Sequence, residues 1–271
     1  MRLRITHATT YHYSEPVKSA IQMLRLTPRG HDGQTVLSWS IDADCDARLI
    51  RREDWYGNIA HTLFAAGPID HINLTVAGEI ETTDMAGVIR SVERFPEIFF
   101  LRDTPLTKAD AAIRDFAEAT AGHLGSSLDK AHALMGALHQ RLRFDTQATS
   151  ATTEAVQAFA AGHGVCQDFT HVFLAAARTL RIPARYVSGY LHKPDEAEQE
   201  AGHAWAEAYI EDLGWVSFDP ANAISATEHY IRVAIGLDYL DAAPVRGSYY
   251  GVSREALDVS LRIESARQAQ A

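Results

Sequence analysis

The sequence predicts an antiparallel β-sandwich followed by an α+β unit. Three observations carry this. Residues 1–83 read as β-branched or aromatic stretches separated by turn formers. From Thr107 to Leu180 the pattern is helical, with apolar residues recurring at three- and four-residue intervals. After Ile182-Pro183 the strand patterns return.

Taken in order, the first strands are expected at Leu3–Tyr13, Ala20–Thr27, Val36–Asp44, Asn58–Ala65 and Ile69–Thr82. Pro28-Arg29-Gly30 and Trp55-Tyr56-Gly57-Asn58 supply turns between them. The stretch from Asp84 to Pro105 carries Phe95, Ile98, Phe99, Phe100 and Leu101. It is too apolar for a free linker and is expected to pack between the two regions. Thr107 is placed to cap a helix from Lys108 to about Ala121, and Ser127 to cap a second. That second helix shows Leu128, Ala131, Leu134, Leu138 and Leu142 on one face. A third helix covers Thr153 to Ala161, and a fourth starts at Cys166 and stops at Ile182-Pro183. Strands follow at Ala184–Leu191, His203–Ile210, Trp215–Asp219, Tyr230–Ile235 and Leu257–Ile263. Residues 266–271 read as a frayed tail.

A chain of 271 residues fits one large domain or two small ones, and 46% hydrophobic residues are enough for a substantial core. Twenty-five basic against 35 acidic residues give a formal charge of −10. That balance argues against nucleic acid or an anionic membrane as the partner. It also disfavours a strongly anionic substrate, unless Arg181 and Arg185 form a local basic patch. The two cysteines, Cys45 and Cys166, form no CxxC, so neither a disulfide framework nor a cysteine-rich zinc site is expected. His7 with His12, and His132 with His139, lack the spacing and third ligand of a metal site. No cofactor is expected. The N-terminus has no apolar stretch of signal-peptide length, and no run approaches a membrane span. A reducing, cytoplasmic location is therefore expected. Oligomeric state leaves no mark on the sequence.

The chemistry centres on Cys166. Gly162-His163-Gly164-Val165 leads into it and an alanine-rich helix follows, so the thiol stands at a helix N-terminus, where unpaired N–H groups favour a thiolate. His203 and Asp219 come later in the chain. Glu211-Asp212-Leu213-Gly214 reads as a tight turn between their strands, and a hairpin closing there pairs residue 203 within about two residues of 219, although a one-residue slip of register would set the two on opposite faces. Thiol, imidazole and carboxylate are the parts of nucleophilic acyl transfer. Each alone has a plainer reading: a small buried hydrophobe, a core histidine, a turn starter before proline. Their joint occurrence in this order favours the chemical reading. Asp168, two residues past the thiol, is expected to support the helix N-terminus.

Four blocks resemble the core of the transglutaminase-like superfamily. They are Gly164-Val165-Cys166-Gln167-Asp168-Phe169, the run from Arg181 to Tyr190, His203-Ala204-Trp205-Ala206-Glu207, and the run from Gly214 to Asn222. More narrowly the chain resembles the bacterial transglutaminase-like cysteine peptidases, and the run from His229 to Tyr239 fits that branch. The resemblance implies a β-rich domain over 1–95 and a papain-like core over 96–265, with helices packed on an antiparallel sheet. It implies Cys166 as nucleophile, His203 as general base and acid, and Asp219 as orienting carboxylate. The Cys166 N–H would be one oxyanion donor. Gln157 is a candidate for the second by position alone, and Tyr190, Trp205 and Asn222 are candidates for lining the site. The expected function is cysteine-dependent hydrolysis of an amide, peptide or isopeptide bond. An acyl transferase using the same triad is the alternative, and a non-catalytic interaction module is a third. Glu207 is the one acidic residue on the His203 strand that would favour an amine acceptor, and it lies about 13 Å along at ~3.3 Å per residue.

Overall fold

The structure is a computed structural model that describes residues 1–90, 94–146, 150–199 and 202–265. The expected tail, 266–271, lies outside the described residues. The first sheet is built on β1 (Arg2–Thr27), β2 (Gln34–Ala43), β3 (Ala47–Glu53) and β4 (Ile59–Thr82). Alternation decides their faces. Along β1, Leu3, Ile5, His7, Thr9, Tyr11 and Tyr13 are buried, while Arg2, Arg4, Thr6 and His12 are exposed.

Two pairs of expected strands are each one long strand. β1 runs through Ser14-Glu15-Pro16 and β4 through Gly67-Pro68, and the register between them shifts from His12 to Ser19. Those turn-forming residues mark a bend, not an end. The bend folds the sheet onto itself. β2 pairs with the Leu74–Thr82 half of β4 and β3 with the Ile59–Ala65 half. Trp39 of β2 then donates its indole N–H to the Leu26 carbonyl on the far half of β1, at 2.9 Å. Tyr11, Leu24, Leu63 and Leu74, from both halves, share one core with Trp39 and Leu49. The expected sandwich is thus a single sheet folded over. β3 escaped the sequence reading because Arg48, Arg51, Arg52 and Glu53 make it look like loop, whereas it lies along only one neighbour.

The second half comprises β5 (Val88–Ile89), α1 (Ala111–Ala117), α2 (Ser127–Arg141), β6 (Arg143–Phe144), α3 (Ala155–Ala161), β7 (His163–Gly164) and α4 (Cys166–Thr179). Then come β8 (Ala184–Leu191), β9 (Glu198–Gln199), β10 (His203–Ile210), β11 (Gly214–Phe218), β12 (Tyr230–Gly236) and α5 (Tyr239–Ala242). The second sheet has the order β12-β8-β10-β11-β5 and is antiparallel throughout. α4 is buried from Asp168 to Arg178, packed with α1, α2 and α3 against Ala204, Ala206, Ala208, Val216 and Phe218 of the sheet. α1 is capped by Asp110, whose carboxylate accepts from the Ile113 N–H at 2.9 Å, and not by Thr107. Thr107 sits in a short 3-10 turn and accepts from the buried Arg178 guanidinium at 2.7 Å. Ser126, one residue earlier than expected, caps α2.

β13 (Val245–Tyr250) and β14 (Glu255–Ser265) return to the first sheet and pair with the two halves of β1. Residues 245–265 therefore share a sheet with the N-terminal strands, whereas the sequence reading grouped them with the core. The segment between the two units packs as its composition demands. Tyr56 meets Phe95, Phe99 and Phe100, and Phe100 stands edge-on to Trp215 of β11 at 5.1 Å. Ile98 alone of that group stays exposed, at 61%. Among the described residues no helix is long and apolar enough to cross a membrane.

Candidate active site

The start of α4 holds Cys166. Val165 is extended, and its N–H donates to the Asp168 carboxylate at 2.8 Å. That closes the helix N-terminus and fixes where the first turn begins. Thr170 donates its hydroxyl to the Cys166 carbonyl at 2.7 Å. The thiol is free and half-buried. Cys45 lies in the bend between β2 and β3, where burial first, then Asp44 and Asp46, pushes its thiol pKa up.

His203 and Asp219 meet through the β10–β11 hairpin. The turn places Asp212 at φ +68° and Gly214 at φ +87°, a left-handed conformation that glycine adopts without strain. Ala206 pairs with Phe218 and Ala208 with Val216. Continuing that register sets 203 opposite 221, so His203 and Asp219 are diagonal neighbours on one face. His203 Nε2 and Asp219 Oδ2 are 2.6 Å apart. The other ring nitrogen, Nδ1, is left for Cys166, which acts together with Asp219 on the ionisation of His203.

The electrostatics follow from this contact. Burial alone would lower the His203 pKa. The hydrogen bonds to Asp219 and Cys166 outweigh it and raise the value to about 10. Asp219 is fully buried, which would raise its pKa, but the bond to His203 and its neighbours depress it. Its Oδ1 accepts from the N–H groups of Ala221 and Asn222 at 2.9 and 3.2 Å. Its Oδ2 accepts from the Asn222 side chain at 2.7 Å and from the Tyr230 hydroxyl at 2.7 Å. The arrangement sets a buried carboxylate against an imidazole that stands beside a thiol, with the carboxylate favouring the protonated form of the ring. Thiol, imidazole and carboxylate in this order are the parts that nucleophilic acyl transfer requires.

The four candidate lining residues separate. Trp205 lies behind His203, with ring centroids 6.1 Å apart. Asn222 is at the site through Asp219, and its Nδ2 is 3.4 Å from His203 Nε2. Tyr190 is elsewhere. Gly189 pairs with His203, so the next residue faces the other side of the sheet, where the Tyr190 hydroxyl meets His7 at 3.0 Å. Gln157 is exposed, and its Oε1 accepts from the Glu154 N–H at the start of its own helix, at 2.9 Å. Tyr230 was missed. It belongs to β12, which is separated from β10 by β8, so no local spacing links it to Asp219. It reaches across by lying edge-on against Trp205, at 5.2 Å. Trp205 in turn covers Gly189, where an added Cβ would come within 2.7 Å of the indole.

Two further expectations change. Arg185 is fully buried, 3.9 Å over the Trp215 ring and 2.6 Å from Glu207, so it forms no surface patch with Arg181. Glu207 is held by Arg185 and Arg232 and is not open to an ammonium group. His7 is buried against Tyr190 and Thr9, His12 pairs with Asp258, His132 stands on Phe218 and His139 meets the Ala221 carbonyl. Among the described residues no three His, Cys, Asp or Glu side chains are grouped to hold a metal ion.

Comparison with known proteins gives matches along most of the chain. Residues 114–220 match the model of the transglutaminase-like superfamily, and residues 3–81 that of the bacterial transglutaminase-like N-terminal region. An uncharacterised protein of Mycobacterium leprae (strain TN) is 29% identical over 287 residues, covering 99% of each chain. One of Mycobacterium tuberculosis (strain H37Rv) is 27% identical over 295 residues, covering 97% of this chain and 92% of its own. A crystal structure named as a "Putative Cysteine Protease" of Cytophaga hutchinsonii superposes with a TM-score of 0.79 at 21% identity, covering 98% of this chain and 92% of that one. At that identity the likeness is one of fold.

Proposed function

We propose that this chain, which belongs to the transglutaminase-like superfamily, is a cysteine-dependent hydrolase of an amide, peptide or isopeptide bond. The observation that carries the reading is the 2.6 Å contact of His203 Nε2 with buried Asp219, which leaves Nδ1 for Cys166. In the proposed reaction His203 holds the thiol proton, and the Cys166 sulfur attacks the substrate carbonyl. The Cys166 N–H at the start of α4 supports the oxyanion. His203 passes its proton to the leaving amine, and a thioester remains on Cys166. Water then attacks the thioester. His203 takes its proton and returns it to sulfur as the acid leaves. Asp219 keeps one tautomer and supports the imidazolium without becoming protonated.

Hydrolysis is preferred to transfer because an acceptor amine needs a positioning group, and Glu207 is committed to two arginines. The reading takes 1–95 as the β-rich unit and the catalytic core as beginning at 96. The substrate is a peptide or another amide. Two unpaired cysteines suit a reducing, cytoplasmic compartment. The test is partition of an acyl substrate between water and a lysine peptide at rising concentration. Free acid should dominate at millimolar amine. Predominance of the amide product would make the chain an acyl transferase.

A further inference from the structure

We infer that Tyr230 is a positioning residue for the His203–Asp219 pair: its hydroxyl occupies the Asp219 oxygen that faces His203 and limits how tightly that oxygen holds the imidazolium proton. The inference rests on the proposed role of His203 as base and acid.

Asp219 shares its acceptors unevenly. Oδ1 takes two backbone N–H groups. Oδ2 takes three side-chain donors: His203 at 2.6 Å, Asn222 at 2.7 Å and Tyr230 at 2.7 Å. Each donor to that oxygen stabilises the carboxylate's charge and lowers its basicity, so each makes it a weaker acceptor for the others. The backbone donors on Oδ1 hold the carboxylate in place. The Tyr230 hydroxyl is placed to tune it.

The phenol is held for that purpose. Tyr230 is buried, edge-on to Trp205 at 5.2 Å and 5.9 Å from the His203 ring. Burial and the nearby Asp219 carboxylate push its ionisation well above that of free tyrosine. The hydroxyl therefore keeps its proton and remains a donor wherever the site works. The titratable groups facing His203 are Cys166 from α4 and Asp219 at the end of β11. Tyr230 from β12 faces Asp219, and Asn222 from the following loop adds a neutral donor. Glu207, farther along β10, is engaged by Arg185 and Arg232.

A carboxylate that bound His203 without this competitor would hold the imidazolium harder. The proton would then be slower to reach the leaving amine, and the thiolate–imidazolium pair would persist to higher pH. Tyr230 thus sets the upper pH limit of the proposed reaction, a role distinct from packing.

The test follows His203 by NMR in histidine-labelled protein, with no substrate present. Tyr230→Phe keeps the ring and removes the donor. It should raise the pH at which His203 loses its proton by about 0.5–1 unit, the scale of one hydrogen bond. Placing 3-fluorotyrosine at 230, a stronger donor, should shift it the opposite way. The basic limb of the activity profile should move with each. If neither variant moves the His203 titration by 0.2 unit (about a fifth of the larger shift expected), or both move it the same way, Tyr230 only packs and the inference falls. Should the phenylalanine variant fail to fold, the fluorinated protein decides alone. The titration needs no turnover, so its failure is separate from failure of the hydrolase reading, which Cys166→Ala tests.

Discussion

Replacing Glu207 by glutamine should strip the second sheet of its main electrostatic tie. The carboxylate is fully buried and accepts from Arg185 Nε at 2.6 Å and from Arg232 Nε at 2.7 Å. It therefore links β8, β10 and β12 side by side. The first sheet is fastened at the same point, because the Gln34 side chain bonds both the N–H and the carbonyl of Arg232, at 2.8 and 2.9 Å. Glutamine keeps the volume and removes the charge, leaving the buried Arg185 and the partly buried Arg232 without their shared carboxylate. Breaking a buried pair in this way costs about 3–5 kcal/mol. A second route gives the same scale. Burial would raise the Glu207 pKa, but Arg232 and Arg185 bring it down to about 2 from 4.5. That difference corresponds to ~3 kcal/mol. The sign is fixed by the depression: the stabilisation is fully present above pH 4.5 and is lost as pH falls through 2. At about 2–4 °C per kcal/mol for a chain this long, Tm should fall by roughly 6–20 °C at pH 7. The assay is thermal and guanidinium unfolding of both proteins at pH 7 and at pH 3. The gap should be large at pH 7 and should narrow at pH 3. A loss under about 1 kcal/mol at pH 7, or a gap unchanged by acid, refutes the reasoning.

Two other outcomes follow from the site. Asp219→Asn keeps an acceptor for the N–H groups of Ala221 and Asn222 but puts an amide against His203 and Tyr230. Turnover should drop by about 10²–10⁴, less than the roughly 10³–10⁶ expected for Cys166→Ala or His203→Ala, measured on the same substrate. Iodoacetamide at neutral pH should label Cys166 before Cys45, whose thiol is made less acidic by burial and two adjacent aspartates. His203→Ala should slow that labelling, read by peptide mass spectrometry. Equal rates for the two cysteines in folded protein would remove the basis of the mechanism.

What could be read from the sequence was what short-range spacing determines. β8 and β10 have the expected limits, because Pro183 opens the one and the turn at Glu211–Leu213 closes the other. The sequence showed that one hairpin brings His203 near Asp219, but only the observed register puts the two on one face. The misses come from pairings between residues far apart in sequence. Nothing local says that Pro16 and Pro68 lie inside strands that bend, or that residues 245–265 return to pair with β1. Tyr190 was grouped with the site because it stands in a matching block, yet one step of register turns it to the opposite face. Tyr230 was overlooked because its path to Asp219 passes over β8 and exists only once Gly189 has made room for Trp205. Gln157 was chosen by position, and its own helix terminus claims its side-chain oxygen.

The central claim is that an acyl group passes through the sulfur of Cys166. The most direct measurement is intact-protein and peptide mass spectrometry after rapid acid quench of the protein with a panel of activated amide and ester substrates. The account predicts a thioester adduct on Cys166 that forms and then decays to free acid, and that is absent from Cys166→Ala. Turnover of the same substrate by Cys166→Ala, or an adduct carried by Cys45 in its place, would contradict it.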